Sequence, residues 1–274
     1  MARRECAILA VDEGTSSTRA ALVGSDGSVS CANHRPLRLH SPGHGVVEQD
    51  ADLILAATVD VCRRTVAEGA AGGIEVAAIA LATQRATAVL WDRRSGRALV
   101  PAMVWQDVRH ADYLARLAPT WNERLLAETG RPAGMRSPYL WAARHIAETP
   151  EVAAAWAAGS LVFGTIDTWL LWHLSEAGRC VTTATNAAPT GAYRLVEHDY
   201  LDGWLDALGF PPELLPEILQ EADDFGHSRR DLLGVRAPIR AACGDQTGGI
   251  VGLGCLEPGH ALCVHGTGSF FHLM

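Results

Sequence analysis

Four short segments place carboxylates, hydroxyls or guanidinium groups at the ends of apolar runs, where a strand delivers polar groups into a crevice. The first is Asp12-Glu13-Gly14-Thr15-Ser16-Ser17-Thr18-Arg19. A carboxylate, then a tight turn rich in N–H and hydroxyl donors, then an Arg could clamp phosphoryl oxygens and orient the water shell of Mg²⁺. A Ser/Thr-rich hairpin turn with no ligand fits the same residues. The second is Thr83-Gln84-Arg85, where Arg85 can donate to a polar substrate or form a surface ion pair. The third is Gly244-Asp245-Gln246-Thr247-Gly248. Asp245 could take the proton of a substrate hydroxyl during phosphoryl transfer, or cap the segment that follows, or both. The fourth is Gly266-Thr267-Gly268-Ser269, a turn that lets backbone approach phosphate closely.

These segments need elements to hold them. Residues 6–12, 19–23 and 28–39 read as an opening antiparallel meander, and 50–67 as a helix with Leu55, Val59, Cys62 and Val66 on one face. Runs at 74–81, 87–91, 161–163, 237–242 and 259–264 read as further strands. Helices are expected over 108–117, 121–128, 138–148 and 169–175, with two short ones between 200 and 220. Ser137-Pro138 is a start signal, with Ser as cap and Pro as first helical residue.

Composition narrows the chemistry. All 23 basic residues among 274 are Arg, so a Lys Schiff base and a Gly-Lys-Ser/Thr phosphate loop are both excluded. Any phosphate must be held by Arg, backbone N–H, hydroxyls or a metal. A net charge of −8 and scattered basic pairs argue against a nucleic-acid surface. The seven Cys lack Cys-x-x-Cys spacing and several, Cys243 and Cys263 among them, lie in apolar runs, the pattern of buried reduced thiols. His40 and His44 flank Ser-Pro-Gly, which does not suit a metal site. No apolar stretch is long enough to span a membrane, and no signal peptide is evident, so a cytoplasmic protein is expected.

Taken in order, the segments resemble the FGGY family of carbohydrate kinases, on its glycerol-kinase branch. Further stretches that carry the resemblance are Gly45–Asp50, Val104-Trp105-Gln106-Asp107-Val108-Arg109, Phe163–Leu170 and Thr183–Ala187. The resemblance implies an α/β chain of the actin-like ATPase or ribonuclease H-like kind, with a mixed five-stranded sheet and flanking helices. It implies a substrate-binding N-terminal domain over 1–252, and over 253–274 the opening strands of a truncated C-terminal nucleotide-binding domain. Family members look nearly twice as long, so this chain is expected to be the N-terminal half and inactive by itself. The implied reaction is ATP-dependent phosphorylation of a hydroxyl of a polyol or sugar, with ATP and Mg²⁺ as cofactors. A pentulose kinase and a non-catalytic sugar-binding module are the alternatives. A homo-oligomer is compatible; nucleic acid and membrane are not expected partners.

By the same resemblance, Asp12 would organise Mg²⁺, and Thr15, Ser16, Ser17, Arg19, Gly266, Thr267 and Gly268 would meet ATP. Gln84, Arg85, Trp105, Tyr139, Asp245 and Gln246 would line the substrate pocket, with Asp245 as general base. Tyr139 sits in a Pro-Tyr pair like the one that helps bind glycerol in that family, with a core Tyr as the alternative reading. One departure stands out: the Glu that follows Gln-Arg in glycerol kinases is Ala86 here. Losing a partner for a substrate hydroxyl can cost about 10⁴-fold in discrimination. The expected acceptor class is therefore wider than glycerol.

Overall fold

The structure is a computed structural model that describes residues 5–265 and 268–274. The meander is present: β1 (Glu5–Glu13), β2 (Ser17–Gly24) and β3 (Val29–Pro36) pair antiparallel. The two-residue strand β4 (Glu48–Gln49) and helix α1 (Ala51–Ala71) follow, and β5 (Ile74–Thr83) then pairs parallel with β1. Asp50 caps α1 by accepting from the Leu53 N–H at 3.0 Å. Its buried face, Ile54, Ala57, Val61 and Cys62, has helical spacing and covers the meander.

Strands β6 (Ala88–Asp92), β7 (Arg97–Ala98) and β8 (Ala102–Met103) begin a second sheet. Three helices come next: α2 (Ala111–Thr129), α3 (Pro138–Glu148) and α4 (Pro150–Ala157). Then β9 (Leu161–Thr165) joins β6 antiparallel and α5 (Ile166–Leu174) leaves it. Smaller pieces follow: β10 (Val181–Thr183), α6 (Ala184–Ala187), β11 (Tyr193–Arg194), β12 (Asp199–Tyr200), α7 (Asp202–Leu208), β13 (Glu217–Leu219) and α8 (Arg230–Leu233). Finally β14 (Ile239–Gly244) adds parallel to β5, followed by α9 (Asp245–Gly252) and the hairpin β15 (Ala261–His265) and β16 (Ser269–Leu273). The central sheet runs β14-β5-β1-β2-β3, the expected mixed five-stranded sheet.

The second sheet, of β4, β8, β6, β7 and β9, was not expected from sequence. Its strand β6 is buried on both faces, so alternate residues serve two cores. Val89 and Trp91 join the core under the central sheet, whereas Ala88 and Leu90 join the core around α2, α3 and α7. Trp91 meets Trp169 edge-on at 5.3 Å, which ties α5 to this layer.

Two expectations are corrected here. The helices expected at 108–117 and 121–128 are one helix, α2, with Pro119 inside it. Pro119 forfeits a single hydrogen bond, and Leu114 and Leu125, buried on either side of it, keep one apolar face in the core. Cys263 is exposed rather than buried, whereas Cys62 is buried and its thiol is pushed up to about 12 by desolvation. Ser137 does cap α3, accepting from the Leu140 N–H at 3.2 Å.

Candidate active site

The C-terminal ends of the parallel strands β1, β5 and β14 lie side by side, because Glu13 pairs with Thr83 and Thr83 with Gly244. Their following turns open into one cavity of about 840 Å³. Asp12, Thr15, Ser16, Ser17 and Arg19 come from the first turn, Gln84 and Arg85 from the second, and Asp245 and Gln246 from the third. Trp105 and Gly268 also reach it. Three of the four chemistry-bearing segments therefore converge, each contributing part of its residues to the wall. Gly266 and Thr267 of the fourth lie outside the described residues. Tyr139 does not join the cavity: it is buried against Phe163 and Phe210, and its hydroxyl bonds Thr190 Oγ1 at 2.8 Å.

Arg85 Nε stands 3.6 Å from Asp245 Oδ1. Burial raises the Asp245 pKa above the ordinary carboxylate value, and the nearby Asp12 charge adds to it; the Gln246 N–H and Arg85 pull the other way. Burial likewise lowers the Arg85 pKa. Asp245 occupies the first turn of α9 behind Gly244 as cap, so it is not the cap residue. Its carboxylate accepts from the Gln246 N–H at 2.7 Å instead.

Two backbone features hold Arg85 in place. Ala86 is buried with φ of 61°, a left-handed conformation that costs a residue with a Cβ about 1–2 kcal/mol. Strain of this kind persists where the surroundings over-determine it. Gly244 permits the close approach of Arg85: a Cβ there would come within 2.4 Å of Arg85 Cδ. Thr185, from the Thr183–Ala187 stretch, accepts from the Gly244 N–H at 3.0 Å and fixes that backbone.

A buried network joins the phosphate-type turn to the rest of the wall. The Gln49 amide donates to the Thr15 carbonyl at 2.8 Å, and the Gln84 amide donates to Gln49 Oε1 at 3.0 Å. Thr87 donates to Gln84 Oε1 at 2.8 Å, and Trp105 Nε1 donates to Thr15 Oγ1 at 2.8 Å. Glu13 closes the network with its Oε2 buried and unpartnered among the described residues, and burial pushes its carboxyl well above the usual range. The Glu48–Arg109 ion pair at 2.8 Å, with Asp107 accepting from the Val47 N–H at 2.8 Å, clamps β4, which carries Gln49, to the turn after β8, which carries Trp105. Gln49, within Gly45–Asp50, is a positioning residue that its sequence context alone does not mark.

Asp12 pairs with Arg19 at 2.8 Å, both half-exposed at the cavity wall. The described residues contain no cluster of three or more His, Cys, Asp or Glu able to hold a metal by themselves. A single carboxylate beside phosphate-type donors still fits Mg²⁺, which keeps several waters and binds through one or two carboxylates plus substrate phosphates. No helix among the described residues is long and apolar enough to cross a membrane.

The model of the FGGY family of carbohydrate kinases, N-terminal domain, matches residues 7–252. A glycerol kinase of Methylobacterium nodulans is 39% identical over 267 residues, 96% of this chain and 53% of that protein. One from Xanthobacter autotrophicus is 38% identical over the same shares. Among solved structures, Plasmodium falciparum glycerol kinase with ADP matches with a TM-score of 0.87 at 24% identity, over 97% of this chain and 54% of that one. A xylulose kinase from Lactobacillus acidophilus matches at 0.83 and 19% identity over the same shares. These structural likenesses speak to the fold. The chain spans about half the length of the curated relatives it matches. The family match over most of the chain and the relatives' identity lead to one conclusion: the chain belongs to the FGGY family of carbohydrate kinases.

Proposed function

We propose that the protein transfers the γ-phosphoryl group of ATP to a hydroxyl of a polyol or sugar, and that this chain supplies the acceptor pocket and part of the phosphate clamp. The observation that carries this reading is the juxtaposition, in one cavity, of a raised-pKa carboxylate on Asp245 with the Asp12–Arg19 turn. Arg85 and Trp105 orient the acceptor so that one hydroxyl faces Asp245. Asp245 takes the hydroxyl proton as the acceptor oxygen bonds to phosphorus; the bond to the β-phosphate oxygen breaks and ADP leaves. A raised pKa makes Asp245 a stronger base than an exposed Asp, while Arg85 keeps it ionised. Thr15, Ser16, Ser17 and Arg19 hold the transferring phosphates, with Gly266, Thr267 and Gly268 as a second phosphate turn. Asp12 would hold Mg²⁺ through its waters, and the ion would offset charge on the phosphates.

The curated relatives at 36–39% identity are glycerol kinases, which supports an alcohol acceptor. Ala86 and the core position of Tyr139 favour an acceptor other than glycerol. We assign residues 1–252 to the substrate domain and 253–274 to the start of a nucleotide-binding unit. The β15–β16 hairpin supports this division, since it pairs with no other strand among the described residues and exposes Phe271 and Leu273. A cytoplasmic enzyme is in keeping with this reading. The test is ATP consumption by the intact protein across polyols and ketoses. Phosphorylated alcohol as product supports the reading, and ATP turnover indifferent to every acceptor removes it.

A further inference from the structure

The cavity wall carries four arginines and two aspartates: Arg19, Arg85, Arg131 and Arg136 against Asp12 and Asp245. Arg19 is paired with Asp12 and Arg85 with Asp245. Arg131 and Arg136 form no ion pair among the described residues, and Arg136 Nε is buried without a hydrogen-bond partner. Burial, then the charges of Arg131 and Arg85, lower Arg136 to about 10. Arg131 is exposed and Arg136 half-buried, and the buried, unpartnered Arg136 Nε–H is costly unless an anion completes the site.

Both arginines sit on a built loop. Gly130, left-handed with φ of 68°, ends α2, and the Ser137 cap starts α3. Between them the Arg131 N–H meets Thr129 Oγ1 at 3.3 Å, and the Ala133 N–H meets Asn122 Oδ1 at 2.9 Å. The Arg136 guanidinium lies over the Trp105 ring at 5.9 Å. Both arginines line the cavity together with Arg85, Trp105 and Asp245, the residues placed above on the acceptor.

We infer that the acceptor is an anionic polyol, whose reacting hydroxyl faces Asp245 and whose far, negatively charged end rests on Arg131 and Arg136. This rests on the kinase reading above. A carboxylate and a phosphate monoester share the required chemistry. The transfer itself is unchanged: the hydroxyl proton goes to Asp245, the phosphoryl group to the acceptor oxygen, and the anionic end takes no part.

The experiment compares matched probes on the intact protein. Glycerate, erythronate and D-gluconate are set against glycerol, erythritol and D-glucitol, and glycerol 3-phosphate supplies the phosphate arm. Binding is read by calorimetry without nucleotide, and phosphoryl transfer by product analysis with ATP. The expected result is at least about tenfold preference for an anionic probe over its neutral isostere, since hydrogen bonds to charged groups are the strong ones. Arg131→Gln and Arg136→Gln should each cut that ratio severalfold, and Arg136→Lys should keep part of it. Preference for carboxylates or for the phosphate ester identifies which anion is used. Equal or better binding of neutral probes overturns the inference, as does a rise in KM for ATP with no change for the acceptor in the Gln variants. If neutral alcohols are phosphorylated and acids are not, the inference fails while the kinase reading stands. If no alcohol is phosphorylated, the kinase reading fails, and the calorimetry still decides whether the site selects anions.

Discussion

Gly244→Ala is the most informative single change near Arg85. The added methyl would lie 2.4 Å from Arg85 Cδ and 2.8 Å from its Cγ. Ordinary carbon contacts are about 3.5–4.0 Å, so the Arg85 side chain must retreat by about 1 Å or more. The Thr185 carbonyl oxygen at 3.2 Å must also give slightly. The backbone at Gly244, φ −68° and ψ 141°, suits Ala, so the change gains about 0.4–1 kcal/mol from a stiffer unfolded chain. Overpacking costs about 1–3 kcal/mol. The net cost to stability is then about 0–2.6 kcal/mol, and the protein stays folded. Function should suffer far more, because a misplacement of about 1 Å can cost about 10²-fold in rate. The assay is thermal unfolding together with kcat/KM for the best acceptor. A variant that melts near wild type and loses about two orders of magnitude supports the geometry. Wild-type kcat/KM with Arg85 unmoved would refute the claim that Gly244 exists to admit Arg85.

Other outcomes follow from the same contacts. Trp105→Phe removes the bond to Thr15 Oγ1 and should cost about 0.5–1.5 kcal/mol of stability, with a higher KM for ATP in steady-state kinetics. Glu13→Gln should raise the melting temperature most at alkaline pH. The Glu13 pKa is raised in the folded state, so stability is complete below the unfolded carboxylate value and falls as pH rises toward the folded one; a parallel shift at all pH values would contradict this. His145 is lowered to about 4 by burial, so stability is lost as pH falls from about 6.5 toward 4, where the unfolded chain takes up the proton first. His145→Asn should flatten that slope in a pH series of melts. The acid limb of kcat/KM should lie above the usual Asp range, and Arg85→Gln should move it higher still by removing the opposing charge from Asp245.

The site was largely legible because strand ends and turns are local. Asp12–Arg19, Gln84-Arg85 and Asp245-Gln246 were identifiable from apolar runs that stop at polar residues, and parallel pairing then brought them together. What depends on distant partners was not legible. Tyr139 has the right neighbours in sequence, yet Thr190, Phe163 and Phe210 draw it into the core. The continuity of α2 through Pro119 depends on Leu114 and Leu125, which are buried on either side of it. The second sheet has no local signature in sequence, because several of its strands are two residues long and held by long-range pairing. Arg131 and Arg136 look like ordinary loop charges in sequence, and only the fold reveals that no described carboxylate pairs with them at the cavity wall.

The central claim is that Asp245 accepts the acceptor's proton during phosphoryl transfer from ATP. The direct measurement is kcat for phosphorylated product with wild type and Asp245→Asn, each verified as folded by thermal melting. The account predicts a loss of about 10²–10⁴-fold in the Asn variant, with acceptor still bound. Undiminished turnover by Asp245→Asn would contradict it.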